Sequence, residues 1–179
     1  REPQHMRSGA SRGALLLLGL LSISALAVRV PAQTKHVNWE TPHVHPLDLT
    51  ADGARLLAVN TPDGRLEVFD ARGAELIQLA AIPVGVDPVS VRARNNTEAW
   101  VVNQVSDSVS IVDLVTGRVR ATLRTDDEPA DVIFAGTPRR AFVSCSQANT
   151  VMVFDPEDLD AAPIRIPIDG EDPRALATN

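Results

Sequence analysis

One cysteine and four histidines in 179 residues leave little material for covalent or metal chemistry. A lone Cys145 excludes any intrachain disulfide. Basic charge is also scarce: 17 Lys and Arg stand against 23 Asp and Glu, a formal net charge of −6. That balance removes the basic face that phosphate backbones require, so no nucleic-acid partner is expected; the acidity reads as solubility. No Cys-x-x-Cys-His occurs, so no c-type haem is attached within this stretch. Gly-rich phosphate loops and Gly-x-Ser-x-Gly elbows are missing as well, and no cofactor is expected. The longest apolar run, Ala14 to Val28, is about 15 residues, short of the roughly 20 a membrane span requires.

That short run belongs to a different pattern. Met6 is followed by the basic segment Arg7 to Gly13, then by the leucine-rich run, then by Val30-Pro31-Ala32. A basic start, an apolar centre and a small-x-small exit are the parts of a secretory signal peptide. Cleavage is expected near Ala32, leaving no membrane span and a secreted or periplasmic product. No Cys follows the run, so a lipoprotein anchor is not indicated. Arg1 to His5 read as translated sequence upstream of Met6.

The remainder of the chain is repetitive. Leu57-Ala58-Val59-Asn60, Trp100-Val101-Val102-Asn103 and Phe142-Val143-Ser144-Cys145 each precede a polar turn and a second apolar run closed by Asp70, Asp113 or Asp155. Those aspartates are 43 and 42 residues apart, and Pro46, Pro88, Pro129 and Pro173 introduce successive units. A period of roughly 40–45 residues with about four strands per unit marks a β-propeller blade. The expected fold is all-β: four-stranded antiparallel blades, about three of them, with single strands at each end. Strands are expected at Leu47–Thr50, Arg55–Asn60, Arg65–Asp70 and Glu75–Ile82; at Val89–Ala93, Glu98–Asn103, Ser108–Asp113 and Arg118–Thr125; and at Asp131–Phe134, Arg140–Cys145, Thr150–Asp155 and Ala162–Ile168. Residues 1–32 form the leader, 33–45 a lead-in outer strand, and 46–179 the blades with a fourth beginning at Pro173. Three blades cannot close a ring, since closed propellers have about 4–8. The chain is therefore expected to be the N-terminal part of a longer polypeptide, whose remainder is needed for closure.

The Leu/Trp/Phe-x-x-Asn element, the Val-x-x-Asp element ten residues later and the connectors Gly85-Val86-Asp87-Pro88 and Gly170-Glu171-Asp172-Pro173 resemble the YVTN-type β-propeller repeat of secreted bacterial proteins. The motif's Asn falls on Asn60 and Asn103, with Cys145 as a departure. The resemblance covers about Pro46 to the end. It implies the fold, commonly with seven blades, and fixes no activity.

Candidate chemistry is sparse. His43 and His45 are spaced to put both imidazoles on one side of a strand, where they are weak metal candidates; an exposed connector is the plainer reading, and no metal is expected. Cys145 reads as a small buried residue, with no base at hand to activate it. Asn60 and Asn103 are expected to brace the hairpins they start. Asp70, Asp113 and Asp155 are expected to accept backbone N–H bonds in the following turn. Because every repeat carries them, they build blades and do not catalyse. The residues that differ between repeats lie on the first strand of each unit, which lines a propeller's channel: Asp48, Ser90, Arg92, Asp131 and Arg174 are the ligand-binding candidates. Asp87, Glu128 and Asp172, before the prolines, are placed to ring one face.

No catalytic residue emerges. The functional expectation is a secreted or periplasmic binding or scaffold module engaging a protein, a cell-envelope component or a small ligand. The alternative is the propeller part of a periplasmic enzyme or redox protein, lactonase-like or haem-associated, with its chemistry beyond residue 179. A third possibility is a fragment with no stable fold of its own, prone to associate through its free sheet edge.

Overall fold

Consecutive hairpins with turn residues between them dictate antiparallel meanders, and the computed structural model, which describes residues 42–178, has three of them within one unit. The first sheet is β1 (Leu47–Leu49), β2 (Arg55–Asn60), β3 (Arg65–Asp70) and β4 (Ile77–Pro83). The second is β5 (Pro88–Ala93), β6 (Glu98–Asn103), β7 (Ser108–Asp113) and β8 (Arg118–Arg124). The third is β9 (Pro129–Ala135), β10 (Arg140–Cys145), β11 (Thr150–Phe154) and β12 (Ile164–Pro167). The all-β, four-stranded architecture expected from the repeat is therefore observed, with the second and third strands of the first two sheets at their expected bounds. The leader over 1–32 and most of the lead-in strand over 33–45 lie outside the described residues. No helix among the described residues is long and apolar enough to cross a membrane.

Each sheet stacks on the next, so the middle one buries both faces. Leu57, Leu66, Val68 and Ile82 of the first sheet pack with Val91, Ala99, Val101 and Val112 of the second. On the other face Val89, Trp100, Val102, Val109 and Ile111 pack with Val132, Ala141, Val143, Met152 and Phe154 of the third. Side chains alternate along β6, Ala99 and Val101 to one neighbour, Trp100 and Val102 to the other. A continuous apolar run is thus what two buried faces require. Val89 and Val91 would share a face in a regular strand. The register shift between Pro88 and Ser90 sends them to opposite cores, as a bulge does.

The connectors follow one backbone rule. Asp87, Glu128 and Asp172, each directly before a proline, hold φ of 60°, 52° and 53°. Asp107 and Asn149, in the turns after β6 and β10, share that left-handed geometry at 46° and 52°. Asp and Asn enter this region more easily than most residues. Gly85, in the connector from β4 to β5, answers a different need. A Cβ there would lie 2.6 Å from Asn103 Cγ, so the backbone can approach only without one.

Candidate functional site

Pro46, Pro88 and Pro129 introduce the first strands of the three sheets, which lie against one another, and the residue two places after each is polar: Asp48, Ser90 and Asp131. Asp131 is wholly buried and accepts four hydrogen bonds. Ser90 Oγ donates at 2.8 Å and the Val132 amide at 2.9 Å to Oδ1. His45 Nδ1 donates at 2.9 Å and the Leu176 amide at 2.8 Å to Oδ2. A buried carboxylate is tolerated when its lone pairs are filled in this way. The donors come from the segment before β1, from β5, from β9 itself and from the residues after Pro173, so one side chain ties together four successive stretches of chain. Asp48 makes a smaller version, accepting the Leu49 amide at 2.9 Å and the Ala93 amide at 2.8 Å.

His45 reaches Asp131 because residues 44–45 run parallel to β5. The Val44 amide donates to the Val89 carbonyl at 3.1 Å and the Val91 amide to the His45 carbonyl at 2.9 Å. His43 is engaged elsewhere, with Nε2 2.6 Å from Thr61 Oγ1. The two imidazoles thus serve different partners, and no group of three or more His, Cys, Asp or Glu among the described residues is placed to hold a metal.

Beside this hub lies a cavity of about 390 Å³, lined among others by His45, Asp48, Arg92, Phe134, Arg139 and Leu176. Of the five candidate channel residues, Asp48 and Arg92 line it, while Ser90 and Asp131 form the buried support beneath His45. Arg174 is drawn to a separate polar group, its Nη1 3.2 Å from Asp172 Oδ1 and Nη2 3.4 Å from Gln104 Oε1. Glu128 belongs to that same group through Gln104 Nε2 at 3.3 Å. Arg139 sits at the cavity rim with its guanidinium carbon 5.3 Å from the Phe134 ring centre, a cation–π distance.

The repeated residues build the sheets. Asn103 is fully buried; its Oδ1 accepts the Gly85 amide at 3.1 Å and its Nδ2 donates to Ser110 Oγ at 3.0 Å. Asn60 donates instead to Asp63 and Glu67 side chains, at 2.9 and 3.2 Å. Cys145 is buried in the core between the second and third sheets, and burial pushes its thiol up to about 11. Asp113 accepts the Val115 and Thr116 amides at 2.8 and 3.1 Å, which hold its carboxyl below the usual range. Asp70 is held lower still, chiefly by the Arg72 guanidinium. Asp155 accepts the Glu157 amide at 3.0 Å and pairs with Arg140 at 3.1 Å.

Sequence reasoning did not find His45 as the partner of Asp131, nor the contributions of Ser144, Phe134 and Arg139. Ser144 Oγ bridges the chain, accepting the Asp131 amide at 3.1 Å and donating to the Arg174 carbonyl at 2.6 Å. One signal was available: His45 occupies the pre-proline place held by acids at 87, 128 and 172.

No protein-family model and no curated protein matches the chain. Solved structures do. Hydrazine synthase of Kuenenia stuttgartiensis aligns with a TM-score of 0.66 at 24% identity, over 80% of this chain and 41% of that one. A proposed 6-phosphogluconolactonase of Bacteroides uniformis aligns with a TM-score of 0.58 at 18% identity, over 72% and 45%. The dihydro-heme d1 dehydrogenase NirN aligns with a TM-score of 0.55 at 20% identity, over 68% and 27%. The chain thus spans less than half the length of each. At these identities the likeness is one of fold, that of the β-propeller.

Proposed function

We propose that the chain is part of a secreted or periplasmic YVTN-type β-propeller that binds a small ligand or partner at its channel, with no catalytic site in this segment. The observation that carries the reading is the channel cavity, where side chains from three successive sheets meet around a buried, fully bonded carboxylate. Pockets of this size, roughly 300 Å³ or more with a few convergent polar groups, are ordinary ligand sites. The exposed apolar residues of the outer sheets, Leu47 and Leu49 on one and Ile164 and Ile166 on the other, are what further blades of the same ring would cover. Export rests on the leader pattern through Ala32.

The test is a metabolite panel, neutral and charged, titrated into the full chain while backbone amide shifts are read. Shifts clustered on Ala93, Ile133 and Leu176 are expected. Shifts confined to the outer strands β4, β8 and β12 would overturn the channel reading. The fold likeness to a proposed lactonase and to a dihydro-heme d1 dehydrogenase is compatible with the second reading, the propeller of a periplasmic enzyme whose chemistry lies beyond residue 179, and a catalytic or haem-attachment motif in coding sequence past Asn179 would support it. A fusion of residues 1–40 to a reporter enzyme tests export; retention inside the cell would overturn the localisation.

A further inference from the structure

Six arginines among the described residues are half-buried: Arg55, Arg65, Arg92, Arg94, Arg140 and Arg174. Five have acceptors. Arg55 donates to the Asn96 carbonyl at 3.0 Å and Arg65 to the Ala81 carbonyl at 3.3 Å. Arg94 meets Glu98 and Glu157, Arg140 meets Asp155, and Arg174 meets Asp172. The Nε atoms of Arg92 and Arg174 are both buried without a partner, but the Arg174 Nη groups have acceptors, and Arg92 alone has none among the described residues. A guanidinium stays charged at any accessible pH, and burying part of it unpaired is costly. Its place on the wall of the channel cavity supplies the resolution.

We infer that the channel cavity binds a small oxyanion, a carboxylate or a phosphate, with the Arg92 guanidinium as its cation and the His45 ring as a second polar contact. This rests on the channel being the ligand region. Asp131 orients His45 by accepting from Nδ1 at 2.9 Å; the ring lines the cavity, its Nε2 has no partner among the described residues, and it donates to an oxyanion in the imidazolium form, where both ring nitrogens carry a proton. A guanidinium's planar fork matches both anion types. Arg139 adds positive charge at the rim. Neither nearby acid forms an ion pair with Arg92 among the described residues: Asp131 accepts four other donors, and the Asp48 oxygens take the Leu49 and Ala93 amides. Asp48 remains a negative wall, which favours a compact, singly charged group over a polyanion.

The test titrates inorganic phosphate and, separately, acetate into the full chain, reading the amide shifts of Ala93, Ile133 and Leu176. Saturable shifts are expected with at least one anion, and whichever binds tighter identifies the source. Arg92→Gln should weaken binding tenfold or more, Arg92→Lys should recover part of it, and the exposed Arg118→Gln should leave it unchanged. Amide spectra that overlay the parent's establish that each variant is folded. Unchanged affinity in Arg92→Gln, or no saturation by either anion, overturns the inference. If neutral panel members shift the channel amides while neither anion does, the anion assignment fails and the channel reading stands. If the anions shift only amides remote from the cavity, both fail.

Discussion

Asn103 and Asn60 end the second strand of successive sheets, yet the first is wholly buried and the second half-buried. Asn103 holds the Gly85 connector and the Ser110 hydroxyl; Asn60 reaches only two acidic side chains of its own hairpin. The same contrast runs through the strands that carry them. All six residues of β6 are buried, whereas β2 buries Leu57 alone. Both segments are apolar and both end in Asn. The difference is the number of neighbouring sheets. A repeated residue in a stacked array thus takes its chemistry from the connector and sheet laid against it.

The contrast breaks most sharply at Trp100. Its ring is fully buried, lies edge-to-face with Phe134 at 5.3 Å and Phe154 at 6.5 Å, and donates to Glu98 Oε1 at 2.9 Å. Trp100→Ala should cost about 3–5 kcal/mol and lower the denaturant midpoint accordingly. Leu57→Ala, at the matching place in the first sheet, should cost about 2–5 kcal/mol, with less of the cost recoverable by repacking changes on the third sheet. Equal coupling of both sites to Phe134→Leu in double-mutant cycles would contradict the two-core arrangement.

A smaller effect tests the asparagines directly. Asn103→Ala leaves the Gly85 amide and the Ser110 hydroxyl without their partner, a loss of about 1–3 kcal/mol. Asn60→Ala should stay within about 0.5 kcal/mol. Chemical denaturation of both variants decides it, and equal losses would mean that the connector contact contributes nothing.

The strands buried between sheets were legible because continuous apolar runs closed by Asn, Gly and Asp have one good solution. The outer strands were less so. All four residues of β12 are exposed, and without burial to fix its ends the expected Ala162–Ile168 shortens to Ile164–Pro167. The site was half-legible for a related reason. Variation along the first strands pointed to Asp48, Arg92 and Asp131, all of which reach or support the cavity. The His45 contact to Asp131 spans 86 residues, and no local pattern encodes a pairing at that distance. Arg174 follows the left-handed Asp172 and leaves the channel group for Asp172 and Gln104.

Cys145, in the place Asn103 fills one sheet earlier, carries the next effect. Burial raises its thiol to about 11 from an ordinary 9.0. The unfolded chain therefore ionises first as pH climbs, and stability present below pH 9 is lost as pH rises toward 11. Cys145→Ser should remove that part of the alkaline slope, and a thiol reagent at neutral pH should label Cys145 only as fast as the fold opens. Rapid labelling of folded protein would mean that the core between the second and third sheets is not closed.

The smallest effect separates two ways of holding the same aspartate. Asp113 is lowered by the Thr116 and Val115 amides, Asp70 chiefly by the Arg72 guanidinium. Both are depressed from 3.8, so each contributes stability above that pH and loses it as pH falls through its folded value. Salt distinguishes them. At about 1 M the screening length falls to roughly 3 Å, which weakens an exposed ion pair and leaves fixed backbone donors in place. Carboxyl shifts followed by NMR should show the Asp70 titration moving up toward its ordinary value in high salt while that of Asp113 moves little. Arg72→Ala should reproduce the salt effect at Asp70 alone, because both turns supply a backbone amide two residues on and only the turn after β3 adds the Arg72 guanidinium to it. Equal salt shifts at the two sites would mean that both turns are held by charge.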